Sequence, residues 1–181
     1  NFARRSLADI DGRIKHMDEL GVDVQVLYPT VYLTQISQNP VIDLALAKSY
    51  NRWMGDIWSQ SEDRLRWVAV PPLLTMDSVP DQLRFAKENG ACGIFMRGFE
   101  GDRVISDPYF FPLYEVASEL NLPICVHAGC GNPAYVNLTQ GEAYARNKLP
   151  VITAFHSFVF HNVPVMFPKL RFLFVEVSAN W

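Results

Sequence analysis

Five apolar runs constrain this chain more than any other feature: VDVQVLYP at 22–29, LRWVAVPPL at 65–73, ACGIFMRG at 91–98, LPICVH at 122–127 and LRFLFVEV at 170–177. Each is preceded or followed by a helical pattern. Ile14, Met17 and Leu20 share one helical face that Gly21 ends, and Asn39-Pro40 caps a long helix running to about Gln60. Val79, Leu83 and Ala86 line a third helix that Asn89-Gly90 stops, and Asp107-Pro108 opens a fourth with Leu113, Val116 and Leu120 inward. The segment LPVITAFHSFVFHNVPVMF at 149–167 reads as largely helical. Uninterrupted apolar runs belong to strands covered on both faces, and strands joined through helices run parallel. The pattern predicts strands over 24–27, 67–70, 93–96, 124–126 and 172–175, paired in that order, with open edges on the first and last.

This is an α/β chain, curled into a barrel or opened as a doubly wound sheet, and either form gathers ligands at the C-terminal strand ends. A dinucleotide-binding sheet has only GCGNPA at 129–134 in its favour. There Pro133 falls in the turn that should hold a pyrophosphate, and no acidic residue lies near position 150 for the ribose. The residues at the strand ends are Tyr28-Pro29, Pro71-Pro72, Arg97-Gly98, His127-Ala128-Gly129 and Glu176, with Ser178 and Asn180 just beyond. Packing alone does not call for so polar a set.

Composition removes several classes of partner. The net charge of −3 over 181 residues comes from interspersed acids and bases, so no basic block suits nucleic acid or an anionic membrane. No run reaches the roughly 20 apolar residues of a membrane span, and NFARRSLADIDGR lacks a signal-peptide core, so a cytoplasmic location is expected. Cys92 and Cys125 sit in apolar runs as small core residues, while Cys130 is a soft metal ligand or a bystander. His156 and His161 lie about 140° apart on a helix at ~100° per residue, so they cannot share a metal and are read as core or supporting residues. Tyr50, Trp53, Met54 and Trp58 occupy too much of one helix for a solvated face; core packing is expected, with a homo-oligomer interface as the alternative. Arg97 offers a planar fork for a substrate carboxylate, or pairs with Glu100 or Asp102. Glu176, in an apolar strand, is either a structural ion-pair partner or a functional carboxylate. Strand alternation places it on the face of Phe172 and Phe174; if that face is the interior, Glu176 stands near His127.

The segments GVDVQVLYP, NRWMGDIWSQSEDRLRWVAVPPL, GACGIFMRG, DPYFFPLYEVASELNLPICVHAG and FPKLRFLFVEV together resemble the amidohydrolase-2 family, whose best known members include aminocarboxymuconate-semialdehyde decarboxylase. The resemblance covers nearly the whole chain. It implies a (β/α)8 TIM barrel holding a divalent metal, zinc or manganese, at its mouth. PICVHAG matches the fifth-strand motif and makes His127 a metal ligand, while the H-x-H pair of the first strand and the aspartate of the eighth have no counterpart here. The chain is therefore expected to be one partial barrel domain, 1–181, holding strands two to six, with the other ligands outside it. At the sixth strand, where the family often carries a histidine, this sequence has Glu176, which favours a base that takes a proton from water. The expected activity is hydrolysis of a small, carboxylated or cyclic substrate, with Arg97 binding it. A decarboxylase of the same family and a metal-free binding scaffold are the alternatives.

Overall fold

The computed structural model describes residues 7–178. Helix α1 (Ile10–Leu20) is capped by the Asp9 side chain, which accepts from Gly12 N–H, and ends at Gly21 with φ 67°. Met17 is buried, but Leu20, expected inward, is the last helical residue and stands 61% exposed. Strand β1 (Gln25–Leu27) follows. Helix α2 (Pro40–Ser59) starts where Asn39 accepts from the amides of Val41 and Ile42, and it leads to β2 (Leu65–Ala69). Helix α3 (Val79–Glu88) buries Val79, Leu83 and Ala86 ahead of β3 (Ala91–Arg97).

A short antiparallel hairpin, β4 (Phe99–Glu100) with β5 (Arg103–Val104), follows β3 and was not anticipated from the sequence. After it come α4 (Phe111–Glu119) and β6 (Ile124–His127). Two short helices, α5 (Pro133–Leu138) and α6 (Ala143–Asn147), fill the irregular segment. Helix α7 (Leu149–Phe160) and α8 (Val163–Met166) are separated by Asn162, whose φ of 56° breaks the long helix expected there. Strand β7 (Phe172–Val175) is last.

All four pairings in the main sheet are parallel, and the order β1-β2-β3-β6-β7 follows the chain without a reversal. A doubly wound sheet reverses at a switch point; a barrel does not. The side chains divide accordingly. Trp67, Ala69, Ile94, Met96, Ile124, Val126, Phe172 and Phe174 join the large cluster shared with the helices. On the other face Val68, Phe95 and Cys125 form a small cluster with Tyr28, Tyr32, Leu33 and Val175. Helices cover one face only, and the five strands make a half-barrel. The open edges expected on the first and last strands are found at β1 and β7, where Val26 is 47% and Leu173 44% exposed.

Helix α2 is fixed to β2 by a buried amide. Asn51 Nδ2 donates to Val70 O and its Oδ1 accepts from Val70 N, both at 3.0 Å, so one side chain takes the place of a neighbouring strand. Around it Met54 is buried, Tyr50 and Trp58 pack on the core as expected, and Trp53 stands 46% exposed. Among the described residues no helix is long and apolar enough to cross a membrane. Replacing Asn51 by Ala orphans both Val70 groups at about 1–3 kcal/mol each. We expect urea titration of the full-length protein to show a loss of about 2–6 kcal/mol at unchanged m-value, and a loss below about 0.5 kcal/mol would refute the role given to this pair.

Candidate active site

The register places the candidate residues side by side. Arg97 pairs in Cα register with His127, and His127 with Val175, so the ends of β3, β6 and β7 meet at one rim. Parity puts Phe95 and Arg97 of β3, and Cys125 and His127 of β6, on the inner face.

His127 is buried to 4% exposure between two rings, Tyr28 at 5.1 Å and Phe95 at 6.0 Å between centroids. Its Nδ1 lies 2.9 Å from Ala128 O. A carbonyl only accepts, so the proton of the neutral ring sits on Nδ1 and Nε2 presents its lone pair. That is the arrangement a metal-ligating histidine needs, with one nitrogen held by the backbone and the other free to coordinate. Gly129, φ 141°, makes it possible: a Cβ there would lie 2.5 Å from Leu33 O.

Nε2 faces Glu176, whose Oε2 is 3.9 Å away. The meeting is the one expected, but its route is different. Phe172 and Phe174 face the helical layer, so alternation alone would send Glu176 there too. The strand ends at Val175, and Glu176 adopts φ 62°, which breaks the pleat and swings the carboxylate to the inner rim. Its side chain is 66% exposed, so the burial penalty anticipated for a carboxylate in an apolar strand does not arise.

Arg97 requires a correction. Its Nε donates to both Glu100 oxygens at 3.1 and 3.0 Å, its Nη2 to Oε2 at 2.5 Å, and its Nη1 to Tyr32 O at 3.1 Å. Both side chains are buried, Glu100 at 4% exposure. The fork that was expected to bind substrate is filled by Glu100, carried back by the β4–β5 hairpin, because a buried guanidinium takes the nearest carboxylate. The pair instead ties the hairpin, β3 and the loop after β1 into one rim.

Beside this pair lies a cavity of about 360 Å³, lined by Tyr32, Asp43, Val70, Phe95, Arg97 and Tyr109. Burial holds the Asp43 carboxyl above the usual carboxylate range, against the opposing pull of the Leu74 amide and Arg97. Burial, then Asp43, pushes the Tyr32 hydroxyl up to about 12. Burial, then Cys125, also raises the Tyr28 hydroxyl, so both tyrosines remain donors at neutral pH.

The remaining candidates lie apart. Cys130 is buried, its sulfur accepting from Asn132 N at 3.5 Å and its thiol raised chiefly by burial, which fits the bystander reading. His156 and His161 are exposed on the outer helical layer, not core as expected, and His156 stacks on Phe160. Asn180 lies outside the described residues. Among the described residues no group of three His, Cys, Asp or Glu side chains can hold a metal. Sequence reasoning missed Arg146 in α6, whose Nε is buried without a partner. A single arginine in an aperiodic segment carries no signal of its own.

Residues 3–181 match the profile of a family described as amidohydrolase. No curated protein matches the sequence. Among solved structures, 5-carboxyvanillate decarboxylase from Sphingomonas paucimobilis superposes with TM-score 0.78 at 17% identity, over 90% of this chain and 50% of its own. The 4-oxalomesaconate hydratase of Rhodopseudomonas palustris gives TM-score 0.68 at 21% identity, over 93% and 48%. A 5-carboxyvanillate decarboxylase from Novosphingobium aromaticivorans, complexed with manganese and 4-hydroxy-3-methoxy-5-nitrobenzoic acid, gives 0.73 at 17%, over 90% and 47%. The chain thus spans about half the length of these structures, and its half-barrel is the matching part of their TIM barrels. Removing one member of a buried charge pair costs about 3–5 kcal/mol. We expect Glu100→Ala to lower the unfolding free energy of the full-length protein by that amount, and a change within about 0.5 kcal/mol would show that the Arg97 pair does not hold the rim.

Proposed function

The chain belongs to the amidohydrolase family, and from that premise we propose that it is the part of a metal-dependent hydrolase that carries one metal ligand, His127, and the water-activating base, Glu176. The observation that supports this most is the free Nε2 of His127 facing a solvent-exposed carboxylate at 3.9 Å. The metal would be zinc or manganese, and its other ligands would come from the part of the relatives' length that this chain does not span. Bound there, such an ion supplies Lewis acidity toward a substrate oxygen. The chain's own residues do the rest. Ala128 O fixes the tautomer of His127, and Tyr28 and Phe95 fix its ring plane. Glu176 accepts the proton of an attacking water as a bond to the substrate carbonyl forms, and returns it to the leaving oxygen or nitrogen. The reading places the chain as a partial barrel domain in a cytoplasmic enzyme of small molecules.

Decarboxylation is the second reading, favoured by the shared fold with two decarboxylases. In that case the carboxyl of Glu176 would deliver its proton to the ring carbon that loses CO2. Screening the full-length protein against lactones and aromatic carboxylates, with CO2 release followed separately from hydrolysis, separates the two.

Metal analysis of full-length wild type and His127→Ala tests the ligand. We expect the variant to lose most of its metal, and equal metal in both would remove His127 from the coordination shell. Glu176→Gln keeps shape without basicity; we expect metal content to hold while turnover falls by about 10² or more. Undiminished turnover would leave Glu176 as a structural partner of His127.

A further inference from the structure

The cavity beside the Arg97–Glu100 pair carries one charge that no neighbour answers. Its charged lining is Asp43, Glu100 and Asp102 against Arg97 and Arg103. Arg97 is held by Glu100, and Arg103 lies 3.0 Å from Asp102 and 3.9 Å from Asp107. Asp43 forms no ion pair among the described residues, so the cavity is one cation short.

The carboxylate of Asp43 stands at the cavity wall. It rises from the first turn of α2, and Leu74 N–H donates to its Oδ2 at 3.3 Å. Its charge raises the hydroxyls of Tyr32 and Tyr109, which places it near both, and Leu74, Tyr32 and Tyr109 all line the cavity. The two tyrosines have spent their protons on main-chain carbonyls, Tyr32 on Leu46 O at 3.0 Å and Tyr109 on Leu73 O at 2.7 Å. Each therefore offers an oxygen lone pair beside the carboxylate. Burial already disfavours the Asp43 charge, and a cation bound there offsets that penalty. An ammonium brings three donors and no acceptor, whereas a neutral hydroxyl fills one lone pair and leaves the charge unanswered.

We infer that this cavity is a subsite for a primary ammonium, seated on Asp43 beside Tyr32 and Tyr109. Phe95 is the wall shared with the candidate active site, since it lines the cavity and its ring lies 6.0 Å from that of His127 between centroids. The inference deepens the proposed function, on which it rests for direction, by naming the substrate class: a small amine whose reacting end runs along Phe95 toward His127 and Glu176.

Isothermal titration of the full-length protein near neutral pH with benzylamine, and with benzyl alcohol as a neutral probe of similar shape, decides it. We expect wild type to bind benzylamine at least about tenfold more tightly than benzyl alcohol. Asp43→Asn keeps an acceptor for Leu74 N–H and removes the charge. It should weaken benzylamine by about tenfold to a hundredfold and benzyl alcohol by no more than about twofold, with metal content and thermal midpoint at wild-type values. Asp43→Glu, which keeps the charge on a longer arm, should fall between. A wild type without preference for benzylamine, or benzylamine affinity unmoved in Asp43→Asn, overturns the subsite. So does loss of both probes with a lowered midpoint, which would make Asp43 a tether for the Leu74 backbone and nothing more. A protein that holds no metal yet loses its amine selectivity in Asp43→Asn keeps the subsite and removes the metalloenzyme reading.

Discussion

Parallel strands cannot be joined by a tight turn. Each crossover must carry the chain back along the sheet before the next strand begins, and this requirement sets the layout of the whole molecule. Because the five strands are added in chain order, their C-terminal ends lie along one rim, and the loops that leave them are neighbours whatever their separation in sequence. Arg97 and His127 are 30 residues apart in the chain and adjacent in register. The same rule puts the helices on one face, so the burial that stabilises the fold and the polar groups of the rim occupy opposite sides of the same strands.

That division shows in the two clusters. On the helical side Trp67, Leu83, Ile94, Met96, Leu113 and Ile124 are fully buried. On the inner side the packing is thinner, and near the rim it is largely aromatic: Tyr28 and Phe95 hold the His127 imidazole by contact, without spending its free nitrogen on a hydrogen bond. The Arg97–Glu100 pair gives this side its rigidity, since it joins three chain segments through five hydrogen bonds between largely buried groups.

What could be read in advance follows from which interactions are local. Helix starts at Asn39-Pro40 and Asp107-Pro108, the stop at Gly21 and the five strands all rest on contacts within a few residues or on hydrophobic period, and these appear where expected. His127 was legible because it ends an apolar strand beside glycines. Arg97 was ambiguous in the sequence since a guanidinium accepts either carboxylate, and only the unanticipated hairpin brings Glu100 onto it. The approach of Asn147 and Pro150 to the strand ends was invisible, because it depends on Gly129 and Gly98 admitting backbone 18 and 52 residues downstream. The open edges of the first and last strands were legible too, because a run of five helix-joined strands leaves its outer two without a neighbour on one side.

The backbone at Glu176 has a consequence for anyone who stabilises this protein by design. A left-handed conformation costs a non-glycine residue about 1–2 kcal/mol, and glycine or asparagine would occupy it more comfortably. A search for stabilising substitutions guided by local torsion preference would therefore select position 176 early and replace the glutamate. The protein would gain melting temperature and lose the carboxylate beside His127, so that one torsion angle sets local comfort against the pairing at the rim.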